Sequence, residues 1–122
     1  IMINVATTIE KIKEQLQHNP VLVYMKGSPK APQCGFSAKV VQILDRLNVH
    51  YAYVDVLANP DIRATLPTYA AWPTFPQLYI QGELIGGCDI VSEMYAAQTL
   101  SAVLAPAHAM HDTPTHCLAK EA

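Results

Sequence analysis

The sequence has little of what marks several function classes. Charged residues make up only 15% of its 122 residues, with 8 Lys and Arg against 10 Asp and Glu. A formal net charge of -2 offers no electrostatic footing for a nucleic-acid backbone. No apolar run approaches the roughly 20 residues needed to span a bilayer, so no membrane segment is expected. The start, Ile1-Met-Ile-Asn-Val-Ala6, lacks the basic region and long apolar core of a signal peptide. There are only 3 cysteines (Cys34, Cys88 and Cys117), too few for a disulfide framework. That scarcity fits a reducing compartment, and a cytoplasmic location is expected. No internal repeat occurs.

The most telling absence lies within Cys34-Gly35-Phe36-Ser37. A Cys-x-x-Cys redox motif would carry a second thiol where Ser37 stands. Cys34 follows a Pro-containing run and precedes an amphipathic pattern, so it falls at a helix start. Unpaired backbone N–H groups and the positive end of the helix dipole there favour thiolate over thiol. Such a thiol can form a mixed disulfide but cannot close an internal one within its motif.

What is present reads as one domain. Thr7 to Glu10 forms a capping-box pattern, with Thr7 as the N-cap. Ile9, Ile12 and Leu16 then follow at helical spacing up to Asn19-Pro20. Val21 to Met25 is a short apolar run suited to a strand buried on both faces. Gly27 to Gln33, with Pro29 and Pro32, is expected to be a loop. Phe36, Val40, Leu44 and Leu47 recur at helical spacing, and Tyr51 to Val56 is a second strand. Asn59-Pro60 starts a helix ending near Tyr69. Gln77 to Ile80 and Glu83 to Ile85, around Gln81-Gly82, form a hairpin. Asp89 is expected to cap a last helix reaching about Leu104. Strands joined through helices run parallel and hairpin strands antiparallel. The expected fold class is therefore α/β, thioredoxin-like, with a four-stranded mixed sheet flanked by helices. The domain covers residues 1–104, and residues 105–122 are expected to form a flexible tail. The tail residues His108, His111, His116 and Cys117 match no zinc-binding spacing and are read as incidental.

Three segments in order, Met25 to Ser37, Trp72-Pro-Thr-Phe-Pro76 and Gly86-Gly-Cys-Asp89, resemble the monothiol, CGFS-type glutaredoxins, in particular their single-domain bacterial cytosolic form. The resemblance covers about residues 7–104. It implies a glutathione-binding domain that holds a [2Fe–2S] cluster at a homodimer interface and passes it to apo iron–sulfur acceptor proteins. It also implies pairing with a BolA-like protein. Carried over by position, Lys26, Arg63, Phe75, Cys88 and Asp89 contact glutathione, and Cys34 is both the redox thiol and the cluster ligand.

The residue chemistry is compatible with that. Glutathione has two carboxylates, an amine, a thiol and two amides. Lys26 and Arg63 supply cations, the latter with a fork matching a carboxylate. Phe75, held extended before Pro76, can pair with an extended peptide, and a cis Phe75-Pro76 bond would aim that rung at Cys34. A [2Fe–2S] centre usually takes four thiolates. Two chains give two, and two glutathiones complete the set. Trp72 is either a wall of the site or a core aromatic. Tyr24, Tyr53 and Tyr79 are read as packing, and Cys88 as a contact through its backbone more than its sulfur. The competing reading is a glutathione-dependent thiol–disulfide oxidoreductase acting through Cys34 alone.

Overall fold

The computed structural model describes residues 3–107 and 118–122. Helix α1 spans Val5–His18. Its cap is Asn4, not Thr7: the Asn4 side chain accepts the Thr7 backbone N–H at 3.1 Å. The helix starts one turn earlier than Thr7, where Asn4 provides the cap, and its first residues Val5, Ala6 and Thr7 face solvent. Strand β1 (Val21–Met25) is buried along its whole length. Two short strands, β2 (Gly27–Ser28) and β3 (Ala31–Pro32), pair as a small hairpin within the segment expected to be loop. Helix α2 (Gly35–Arg46) follows, then β4 (Tyr51–Asp55). Helix α3 (Pro60–Ala70) begins behind Asn59 with Pro60 in its first turn, as expected.

The hairpin of β5 (Gln77–Ile80) and β6 (Glu83–Gly86) matches its sequence signal closely. The last helix does not. It is two helices, α4 (Cys88–Ala96) and α5 (Leu100–Leu104), and the cap of α4 is Gly87 in place of Asp89. The break falls where Gln98 takes a φ of 61°, a left-handed conformation with no glycine or proline to announce it.

The main sheet runs β6-β5-β1-β4 and then β7 (Ala119–Glu121). Strand β1 is parallel to β4 and antiparallel to β5, giving the mixed thioredoxin-like sheet expected. It has five strands where four were expected. The fifth comes from the end of the segment read as tail and lies parallel to β4. Tyr51 N–H donates to the Leu118 carbonyl and Ala122 N–H to the Tyr53 carbonyl, each at 2.9 Å. The reading of His108, His111, His116 and Cys117 as incidental falls on residues outside those described.

Alternation along β1 splits the core. Val21, Val23 and Met25 pack with Val40, Ile43 and Leu44 of α2, Val91 of α4 and Leu100 and Leu104 of α5. Leu22 and Tyr24 pack with Ile12 of α1 and Ile62 and Leu66 of α3 on the opposite face. Tyr24 and Tyr79 meet edge to face, with centroids 5.6 Å apart, so both serve packing as expected. Full burial of one Leu or Val side chain stabilises by about 1.5–3 kcal/mol, which makes β1 intolerant of polar change. The parallel strands β1 and β4 end side by side at Met25 and Asp55. The starts of α2 and α3 face that same end, and so the thiol loop, Lys26 and Arg63 are gathered there.

Candidate thiol site

Cys34 is the cap residue of α2, with extended backbone and no side-chain cap bond of its own. It is half-buried. Burial pushes its thiol up, but donors and charge outweigh this. The Ser37 and Phe36 backbone N–H groups, the Ser37 hydroxyl and the Lys26 ammonium all favour the thiolate, and the net result is a pKa below the usual thiol range. This is the helix-start activation that the sequence implies.

The loop carrying Lys26 is held from three sides. Lys26 N–H donates to Ser37 Oγ at 3.1 Å, and its carbonyl accepts from Gln33 N–H at 2.9 Å. Gly27 N–H donates to Asp55 Oδ1 at 2.9 Å. Gly27 has a φ of 88°, and a Cβ there would stand 2.5 Å from the Ala31 carbonyl oxygen, so only glycine fits. Ser37 is fully buried. The residue occupying the place of a second cysteine thus holds the thiol loop to the helix.

Arg63 is exposed on the first turn of α3, its N–H bonded to the Asn59 carbonyl at 3.0 Å. Asn59 does not cap through its side chain. Its Nδ2 instead donates to the Asp55 carbonyl at 2.9 Å. Across the cleft, the Phe75-Pro76 bond is cis. Among the described residues, neither the N–H nor the C=O of Phe75 takes a backbone partner. The segment before it is propped by Gln77, which is fully buried. Gln77 Nε2 donates to the Trp72 and Thr74 carbonyls at 2.9 and 3.2 Å, while its Oε1 accepts from Tyr79 OH at 2.8 Å.

Gly87 lies against Trp72. A Cβ on Gly87 would stand 3.2 Å from the Pro76 carbonyl and 3.6 Å from Trp72 Nε1. Trp72 is therefore a wall of the site, half-buried, with its Nε1 shielded and, among the described residues, without a hydrogen-bond partner. Cys88 opens α4, packs against the core, and has its sulfur 3.9 Å from Ser92 Oγ. Asp89 is exposed in the first turn of α4.

Lys26, Cys34, Arg63, Phe75, Cys88 and Asp89, every candidate read from the sequence, line one open cleft of about 820 Å³. Phe36, 63% exposed, stands on its rim beside the thiol. An acidic thiol beside Lys26, in a cleft that also carries Arg63 and an unpaired backbone rung, suits an extended anionic thiol peptide. Three residues that hold the site escaped the sequence reading as functional: Ser37, Asp55 and Gln77. The last two left a faint signal, as polar residues at one end of otherwise apolar strands, Gln77 opening β5 and Asp55 closing β4. Among the described residues, no three His, Cys, Asp or Glu side chains converge to hold a metal.

The fold and cleft define a thioredoxin-type protein with an acidic thiol, Cys34, at a helix start. The family pattern described as Glutaredoxin matches residues 21–85, and the chain belongs to the glutaredoxin family. Glutaredoxin 4 of Haemophilus influenzae (strain 86-028NP) is 60% identical over 104 residues, covering 85% of this chain and 97% of that protein. Glutaredoxin 4 of Escherichia coli (strain K12) is 67% identical over 90 residues, covering 74% of this chain and 78% of its own. Among solved structures, reduced poplar apo GrxS14 superposes with a TM-score of 0.69 at 45% identity, covering 84% of this chain and 92% of that one. A buckwheat glutaredoxin–glutathione complex superposes with a TM-score of 0.75 at 25% identity, with the same two coverages of 84% and 92%.

Proposed function

We propose that this monothiol glutaredoxin binds a glutathione-ligated [2Fe–2S] cluster between two copies of the chain and transfers it to acceptor proteins. The observation that carries the reading is the convergence of one acidic thiol with two cations, a free backbone rung and Asp89 in a single cleft. Lys26 and Arg63 would hold a glutathione carboxylate, Phe75 would pair with its cysteinyl backbone, and the Cys88-Asp89 helix start would receive the γ-glutamyl end. The bound glutathione sulfur then stands beside Cys34. One chain contributes one thiolate, so a four-thiolate cargo draws on two chains and two glutathiones. Ligands held without covalent bonds to the protein exchange readily, which suits delivery. A BolA-like protein is the proposed alternative partner to the second copy, and the cytoplasm the proposed compartment.

A second reading rests on the raised acidity of the Cys34 thiol. The thiolate would attack the glutathione sulfur of a protein–glutathione mixed disulfide, and the protein thiolate would leave. A second glutathione thiolate would then attack the Cys34–glutathione bond, releasing oxidised glutathione and restoring Cys34. Anaerobic reconstitution with iron, sulfide and glutathione, followed by native mass spectrometry, separates the readings. Two chains, one cluster and two glutathiones are expected, with transfer to an apo-ferredoxin. A colourless monomer with brisk deglutathionylation would overturn the carrier reading in favour of the enzyme.

A further inference from the structure

Asp55 closes β4 and belongs to neither the thiol loop nor the cleft lining, yet both cations of the cleft depend on it. Its carboxylate Oδ1 accepts two backbone N–H groups, from Gly27 and from Leu57, each at 2.9 Å. The first fixes the residue next to Lys26. Its own carbonyl accepts from Asn59 Nδ2 at 2.9 Å and from Ala58 N–H at 3.1 Å. Asn59 in turn begins α3, and its carbonyl takes the N–H of Arg63 at 3.0 Å. One residue thus ties the Lys26 loop through its side chain and the Arg63 helix through its backbone.

We infer that Asp55 and Asn59 are positioning residues that together set where Lys26 and Arg63 stand relative to each other, and so govern how well the cleft holds its anionic peptide. This rests on the glutathione reading above. Lys and Arg side chains are flexible, and the entropy lost on fixing them opposes binding. Anchoring the backbone beneath each cation limits the positions from which it must reach the ligand. A carboxylate oxygen with two acceptor sites can take both N–H groups at once, which a hydroxyl-free aliphatic side chain cannot. An amide oxygen can do the same, so the anchor needs an acceptor, not a charge.

The brace predicts a pattern of coupling. Glutathione binding to the full-length apoprotein would be measured by calorimetry for Lys26→Ala, Arg63→Ala, Asp55→Ala, Asn59→Ala and the crossed doubles. Asp55→Ala should raise Kd by roughly threefold or more, but should add little once Lys26 is already Ala. Asn59→Ala should behave in the same way towards Arg63→Ala. The swapped pairs, Asp55→Ala with Arg63→Ala and Asn59→Ala with Lys26→Ala, should multiply as independent effects. Asp55→Asn should keep nearly the parent affinity, a rescue that general loosening of the fold would not produce. Effects that multiply in all four pairs would overturn the brace while leaving the glutathione reading intact. Unchanged Kd in both Lys26→Ala and Arg63→Ala would overturn that reading, and the brace with it. Should Asp55→Ala fail to fold, the Asn59 and Arg63 cycle decides alone.

Discussion

Replacing Gly27 with Ala tests whether the thiol loop is rigid. Three glycines separate the contributions. Gly35, in the first turn of α2, has no atom within 4 Å of an added Cβ and an ordinary φ. Gly82 has equally open space but a φ of 80°. Gly27 combines a φ of 88° with backbone atoms at 2.5 Å (Ala31 O) and 2.8 Å (Gln33 N) from the new Cβ. Gly35→Ala should be neutral or stabilise by up to about 1 kcal/mol through the unfolded chain. Gly82→Ala should cost the left-handed strain alone, about 1–2 kcal/mol. Gly27→Ala adds to that strain the displacement of the Gln33 to Lys26 and Gly27 to Asp55 hydrogen bonds, each worth about 0.5–1.5 kcal/mol. Its total of about 2–5 kcal/mol is a large part of the 5–15 kcal/mol typical of a whole domain. Equilibrium urea unfolding of the three variants, with m-values compared, measures this directly. The reasoning fails if Gly27→Ala loses no more stability than Gly82→Ala, because the loop would then be yielding to the methyl group instead of resisting it.

Three further outcomes are expected. Cys34→Ser should abolish cluster binding with the fold intact while Cys88→Ser retains most of it; visible absorbance surviving in the first variant would reassign the ligand. The rate of Cys34 alkylation should show an inflection below the free-thiol value of about 8.5, because a lowered pKa keeps the thiolate until the pH falls through that lower value; an inflection at or above 8.5 would mean desolvation prevails. Asp61 is held below the usual carboxylate range mainly by its hydrogen bond to Lys11. Its support of folding should therefore be complete at neutral pH and fade as pH falls through the depressed value. A Lys11/Asp61 double-mutant cycle at pH 7 should give no more than about 1 kcal/mol for so exposed a pair, and a coupling that does not shrink at pH 2 would refute the ionic origin.

Legibility from sequence followed the range of the interactions. Strand β1, the β5–β6 hairpin, the start of α3 and the Cys34 helix start all declare themselves through adjacent residues. Five of the candidate residues fall inside the three short segments that carry the resemblance, whereas Arg63 lies outside them and follows only from its position in the helix before Trp72. Asn4 and Thr7 are equally good caps on paper, and the exposed turn between them gives no burial signal to choose the earlier one. The split of α4 from α5 turns on Gln98 adopting a conformation usually left to glycine. Strand β7 is three residues long and exists only through pairing with β4, far away in the sequence. Ser37, Asp55 and Gln77 act through hydrogen bonds to backbone that the chain brings near only on folding, and no spacing rule reports that.

The pairing of β7 with β4 changes what the sheet offers to other molecules. An unpaired β4 would present the backbone donors and acceptors of Tyr51–Asp55 as a template on which any extended chain could add. With β7 in place the sheet ends instead in three residues, Ala119, Lys120 and Glu121, two of them charged and exposed. Short, charged edge strands are a recognised guard against uncontrolled strand addition and aggregation. Residues 119–121 thereby replace a five-residue edge with a short charged one, while the cleft lined by Cys34 and Phe36 stays open.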